Sequence, residues 1–124
     1  VAFNHVSYDN HTLVFPDGDE KLAEFYRSLD ILVTPGHIQL DAIHYPVIEA
    51  MATKTPLITT GYFPSDENNS FLVPVKSPEE IAKQIIYMMN NYDEAIIKSE
   101  KAYESISQFS WEKLSHKFIS IMEN

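Results

Sequence analysis

Short β-branched, apolar runs alternate with stretches of helical periodicity through the first two thirds of this chain, and proline or glycine punctuates the runs. Strands separated by helices do not form hairpins. A strand that returns after a crossover helix pairs parallel to its predecessor. The class is therefore α/β, a Rossmann-like parallel sheet with flanking helices. Thr12-Leu13-Val14-Phe15 reads as a first strand, closed by Pro16-Asp17-Gly18. A helix follows, with Leu22, Phe25, Tyr26 and Leu29 at helical spacing and acids at its start, where the dipole favours them. Asp30-Ile31-Leu32-Val33-Thr34 is a second strand and Pro56-Leu57-Ile58-Thr59-Thr60 a third. Phe71-Leu72-Val73-Pro74-Val75 is a fourth, and its proline puts it at a sheet edge.

Residues 36–45 form a loop without periodicity, and Pro46 opens a helix that continues to Thr53. Beyond the fourth strand the chain is helical. Ser77-Pro78-Glu79-Glu80 has the pattern of a capping box, and the helix it starts presents Ile81, Ile85, Met88 and Met89 until about Asn90. A second helix spans Asp93 to Ile106. A third begins after the cap Ser110, with Trp111, Leu114, Phe118 and Ile121 along one face. Trp111 is expected to anchor that last helix in the core, and Met88-Met89 to serve helix packing. Lys21, Arg27 and Lys54 are expected on the solvated surface.

A chain of 124 residues builds one core and not two. No window approaches the roughly 18 apolar residues of a membrane span, and Val1-Ala2-Phe3-Asn4-His5 does not open a signal peptide. The absence of cysteine excludes disulfide and thiolate chemistry and fits a cytoplasmic setting. A net charge of −9 argues against a nucleic-acid partner. Residues 1–74 hold three basic residues against ten acids. Any phosphate bound by that half must therefore rest mainly on backbone amides and a helix N-terminus.

In parallel α/β sheets ligands bind beyond the carboxyl ends of the strands, which here means the loops 35–45 and 61–70. The first of these carries Asp41, and Glu49 follows eight positions later on the helix opened by Pro46. Two acids so placed can flank a ligand whose anionic group meets the free N–H groups around residues 44–48. A sugar nucleotide fits that description: its diphosphate needs N–H donors and its hydroxyls need carboxylate acceptors. His37 and His44 bracket Asp41 but have no evident fourth partner for a metal, and the expectation is a site without metal or cofactor.

The segment Pro46-Val47-Ile48-Glu49-Ala50-Met51-Ala52, followed by Thr55-Pro56-Leu57-Ile58-Thr59, resembles the second half of the E-x7-E signature of family 4-type (group 1) glycosyltransferases of the GT-B fold. Leu22 to Pro35 resembles the helix and strand before that signature, Asn69-Ser70-Phe71-Leu72-Val73-Pro74 the segment after it, and Phe109 to Leu114 the start of the family's final helix. The likeness covers roughly residues 12–122. It implies a retaining enzyme that transfers a hexose from a nucleotide sugar to a glycan or lipid-linked acceptor. It implies that Glu49 holds the ribose hydroxyls, that the backbone of Ile43, His44 and Tyr45 meets the diphosphate, and that Asp41 acts at the donor sugar near the reacting carbon. Asp41 stands where the family mostly has Glu, and Ala42 and His44 where it often has glycines. The loop Gly61 to Asn69 lacks the family's Gly-Gly and Pro-Glu elements.

On this reading residues 1–124 form a single partial domain, the C-terminal portion of the donor-binding domain, without the N-terminal acceptor domain. The full protein is expected in the cytoplasm or peripheral at a membrane, and an exposed sheet edge offers a route to a homodimer. The alternative is a non-catalytic α/β module, flavodoxin- or receiver-like. A receiver needs an acid pair after its first strand, and Phe15 leads instead into a turn.

Overall fold

The computed structural model describes residues 11–37 and 43–123. The elements run α1 (Asp19–Arg27), β1 (Leu32–Thr34), α2 (Tyr45–Ala52), β2 (Leu57–Thr59), β3 (Phe71–Leu72), α3 (Pro78–Asn90), α4 (Tyr92–Ile106), a short 3-10 turn (Ser107–Phe109) and α5 (Trp111–Met122). The sheet is parallel, in the order β1-β2-β3, with Leu32, Val33 and Thr34 opposite Leu57, Ile58 and Thr59. Ile58 and Thr59 in turn pair with Phe71 and Leu72. β3 lies at the edge, as the proline two residues beyond it requires.

Alternation along the strands sends successive side chains to opposite faces. Ile58, with Val33, joins Phe71, Val73, Met88 of α3 and Ala95 of α4 in one buried cluster. Leu57, with Leu32, joins Val47 and Met51 of α2 and Ala102 of α4 in the other. Thus α2 covers one face, α3 the other, and α4 contributes to both. Its buried residues Ala95, Ser99 and Ala102 are small and share one side of the helix, which lets α4 approach its neighbours closely.

The expected strand at Thr12–Phe15 is not there. Residues 11–17 have no regular structure, and Phe15 is 86% exposed. A strand exists only where a neighbour completes its hydrogen bonds, and among the described residues none lies beside this segment. The described sheet therefore has three strands rather than four. Ser77 does not cap α3: its hydroxyl donates to the Val75 carbonyl, so the capping box is absent. Ser110 does cap α5, accepting from the Lys113 N–H at 3.3 Å. Of the methionine pair, Met88 is buried and Met89 exposed. Trp111 is 88% exposed, and Phe118 and Ile121 also face outward, so α5 has no buried residue. Periodicity reveals that a helix has an apolar face, not that anything covers it.

α2 ends in a turn that matters for the site. The Thr55 N–H bonds back to Ala50 O and the Lys54 N–H to Met51 O, a Schellman arrangement with Lys54 in the left-handed region at φ 56°. That position favours glycine. Lys54 offsets the strain by pairing with Glu100 of α4 at 2.8 Å and lying over the Tyr103 ring. Exposed pairs contribute little. We therefore expect Lys54→Gly to melt at or above the parent temperature, and Lys54→Ala, which keeps the strain and loses the pair, to melt below both in thermal unfolding monitored by circular dichroism.

Candidate functional site

The parallel register brings the carboxyl ends of β1 and β2 side by side, and the loops that leave them are locked together. Gly36 N–H donates to the Thr60 hydroxyl at 2.9 Å, and that hydroxyl donates to the Gly36 carbonyl at 3.1 Å. Tyr62 then folds over Gly36. A Cβ added at Gly36 would lie 2.0 Å from the Tyr62 hydroxyl, so glycine is needed here for space. The Tyr62 ring stacks on His44, with centroids 4.3 Å apart and planes 13° from parallel.

His44 is the N-cap residue of α2, in extended conformation. Its carbonyl accepts from both Val47 N–H and Ile48 N–H. The free donors at this helix end are therefore fewer than the sequence implied. Among the described residues no hydrogen bond takes the N–H of His44 or Tyr45, and the first turn carries no acid to repel an anion. A cleft of about 400 Å³ opens here, walled by Thr34, Pro35, His44, Pro46, Tyr62 and Tyr26.

Glu49 lies one turn further along α2, half-buried, and its Oε2 accepts a 2.7 Å hydrogen bond from the Tyr26 hydroxyl. Tyr26, buried on α1, is fixed from behind by the Thr55 hydroxyl, which donates to its carbonyl at 2.8 Å. Tyr26 also lines a second hollow, which contains Glu49 together with Leu22, Ala23 and Thr53. The phenol is thus a shared wall between the carboxylate and the helix end.

Of the residues singled out in the sequence, the structure brings His44 and Glu49 to the same side of the sheet, with Ile43 and Tyr45 exposed next to the cleft. Asp41 lies outside the described residues. Tyr26, Thr34 and Tyr62 were missed. Tyr26 left a trace as the one hydroxyl-bearing residue in the apolar stripe of α1, and Tyr62 as an aromatic directly after the glycine that ends a strand. Among the described residues no group of three His, Asp or Glu side chains is placed to hold a metal ion. A larger hollow of about 560 Å³, walled by Leu29, Asp30, Ile31, Met89 and Tyr92, lies at the opposite, N-terminal end of β1, away from the strand ends where ligands bind.

The sequence profile of the family described as glycosyl transferases group 1 matches residues 4–91, well over half of the chain. This chain belongs to the group 1 glycosyltransferases. It is 26% identical, over 86% of its length, to a D-inositol 3-phosphate glycosyltransferase of Saccharomonospora viridis. It is 27% identical, over 76% of its length, to an uncharacterized glycosyltransferase of Methanocaldococcus jannaschii. The chain spans 25% and 28% of the length of these two relatives. A crystal structure of the C-terminal domain of a group 1 glycosyl transferase, LpcC of Francisella tularensis, superposes with a TM-score of 0.66 at 26% identity. That match covers 77% of this chain and 51% of the other. The fold of this glycosyltransferase chain is accordingly that of the C-terminal domain of a GT-B enzyme. No helix among the described residues is long and apolar enough to cross a membrane.

Two outcomes test the geometry. Gly36→Ala should push Tyr62 off His44 and destabilise by about 1–3 kcal/mol, the usual cost of overpacking. The loss should largely vanish when Gly36→Ala is made in a Tyr62→Ala background, a coupling that chemical denaturation of the four proteins measures. Burial first, and then the hydrogen bond and charge of Glu49, push the Tyr26 phenol above its ordinary value of 10.0. A proton held more tightly in the folded state stabilises fully below the ordinary pKa, and that contribution is lost as pH rises beyond it. Tyr26→Phe should therefore cost about 1–2 kcal/mol at neutral pH, and the gap to the parent should narrow above about pH 10 in urea titrations.

Proposed function

We propose that this chain holds the nucleotide-sugar donor of a retaining, family 4-type hexosyl transfer, with residues 1–124 forming the donor-binding part. The observation that carries the reading is the placement of Glu49. It sits one turn inside a helix whose N-terminus opens on the carboxyl ends of β1 and β2, and it is oriented there by Tyr26. A carboxylate in that position accepts hydrogen bonds from the ribose hydroxyls, while the diphosphate meets the backbone N–H groups of Ile43, His44 and Tyr45. Asp41 acts at the donor sugar near the reacting carbon.

The chemistry then rests on electrostatics. Cleaving the bond from the sugar to the diphosphate develops negative charge on the departing oxygens, and fixed N–H dipoles stabilise that charge without reorganising. On this reading the donor site works without metal. The acceptor, a glycan or lipid-linked sugar, docks on a part of the protein outside these 124 residues. Transfer takes place in the cytoplasm, in keeping with a chain free of cysteine. A relative named D-inositol 3-phosphate glycosyltransferase supports glycosyl transfer as the reaction type. The receiver-like alternative lacks the acid pair it needs, since Phe15 leads into Pro16-Asp17-Gly18.

Calorimetric titration of the chain with UDP, GDP, ADP and their glucose conjugates tests the proposal. We expect one base to bind, and Glu49→Ala to weaken it by tenfold or more, about 1.4 kcal/mol. Transferase activity in the isolated chain is expected to be undetectable. Binding untouched by Glu49→Ala, or turnover by the 124 residues alone, would refute this assignment.

A further inference from the structure

Between α1 and α2 lies a hollow of about 220 Å³, and Glu49 is only one part of its lining. The α1 wall consists of Asp19, Leu22, Ala23 and Tyr26, whose spacing by three and four puts them on one side of the helix. Glu49, Ala52 and Thr53, spaced in the same way, form the α2 wall. The Tyr26 hydroxyl bridges the two helices through its bond to Glu49, and side chains as small as Ala23 and Ala52 leave the gap beside that bridge open. Tyr26 and Asp19 stand at opposite ends of the α1 wall, nearly two turns or about 10 Å apart along the axis. Two carboxylates, groups that only accept hydrogen bonds when ionised, thus border a slot whose middle is apolar.

We infer that this hollow receives the base of the donor and that Asp19 selects guanine, so that the donor is a guanosine diphosphate sugar. This rests on the donor-site reading of Glu49 above and names the nucleotide class. With the ribose hydroxyls on Glu49, the attached base lies against Leu22, Ala23 and the Tyr26 ring, and its outer edge reaches Asp19. The slot has the length of a nucleoside measured from its ribose hydroxyls to the far edge of its base. Flat apolar faces with a few polar edge atoms are what such a lining accepts.

The bases differ in what they offer a carboxylate. Guanine carries a ring N–H and an amino group side by side, two parallel donors that match two carboxylate oxygens in the manner of a guanidinium fork. Uracil has one N–H between two carbonyl oxygens, which a carboxylate repels. Adenine sets its one amino group beside a ring nitrogen that accepts. Asp19 is exposed in the free chain, so its carboxylate is hydrated before a ligand arrives. Two matched donors replace the waters it gives up, whereas a mismatched edge leaves it unpaired.

The test is calorimetry of the full 124-residue chain with the diphosphates of guanosine, inosine, xanthosine, uridine and adenosine. Guanosine diphosphate should bind at least about tenfold more tightly than the uridine and adenosine compounds. Inosine diphosphate, which lacks the amino group, should bind about tenfold more weakly than guanosine diphosphate. Asp19→Asn turns one acceptor into a donor. It should weaken guanosine diphosphate about tenfold and tighten xanthosine diphosphate, whose carbonyl replaces the amino group, by a similar factor. Misfolding would weaken both ligands and mere loss of a negative charge would strengthen both, so opposed changes belong to recognition of the base. A preference for uridine or adenosine diphosphate, or an Asp19→Asn chain that ranks the nucleotides as the parent does, overturns the base assignment. If Glu49→Ala still weakens the preferred nucleotide in that case, the donor site stands without it. Failure of every nucleotide to bind overturns both.

Discussion

The parallel pairing of β1 with β2 is the constraint from which the rest of the site follows. Three residues on each strand set the register, and that register aligns Thr34 with Thr59 so that the two outgoing loops leave from the same level. The Thr60 hydroxyl then fastens one loop to the other at Gly36. With the loops joined, Tyr62 occupies the space that a side chain at Gly36 would fill. His44 stacks on Tyr62, and the start of α2 is thereby fixed relative to the strand ends. None of these contacts is strong alone. Each removes a freedom that would otherwise cost entropy when a ligand binds.

A second chain of contacts fixes the carboxylate. Thr55, just beyond the left-handed turn at Lys54, holds the backbone of Tyr26, and the Tyr26 hydroxyl holds Glu49. The turn, α1 and α2 therefore act as one unit, with Glu49 presented from a helix packed on the sheet rather than from a loop. Rigid placement of this kind is what binding hydroxyls through a single carboxylate requires. On the proposed reading, the acid and the helix end approach the donor from adjacent turns of one helix, which ties the spacing of their targets to the 5.4 Å pitch of that helix.

How much of this was legible in the sequence depends on the range of the interaction concerned. Elements governed by local signals were readable. The start of α2 follows from Pro46, the cap of α5 from Ser110, and the helical bounds of α3 and α4 from periodicity. Features that depend on a distant partner were not. Thr12–Phe15 has the composition of a strand but no neighbour among the described residues, and Trp111 has helical spacing but nothing over it. Ser77 has the cap motif, yet its hydroxyl is taken by Val75. In the site, the resemblance of Pro46 to Ala52 and the following strand to the family signature implied a donor role for Glu49, and the structure places that residue on α2. The tyrosines that position it come from residues 26 and 62, and no local pattern connects them to Glu49.

The central claim is that the ligand site lies at the carboxyl ends of β1 and β2, between the α2 N-terminus and Glu49. Amide chemical-shift mapping of the isotopically labelled chain during addition of a nucleotide sugar tests it most directly. The account predicts that the largest shifts fall at Thr34, Gly36, His44, Tyr45 and Glu49, with Tyr26 and Tyr62 following. Shifts centred instead on Asp30, Ile31, Met89 and Tyr92, around the larger hollow at the other end of β1, would contradict it.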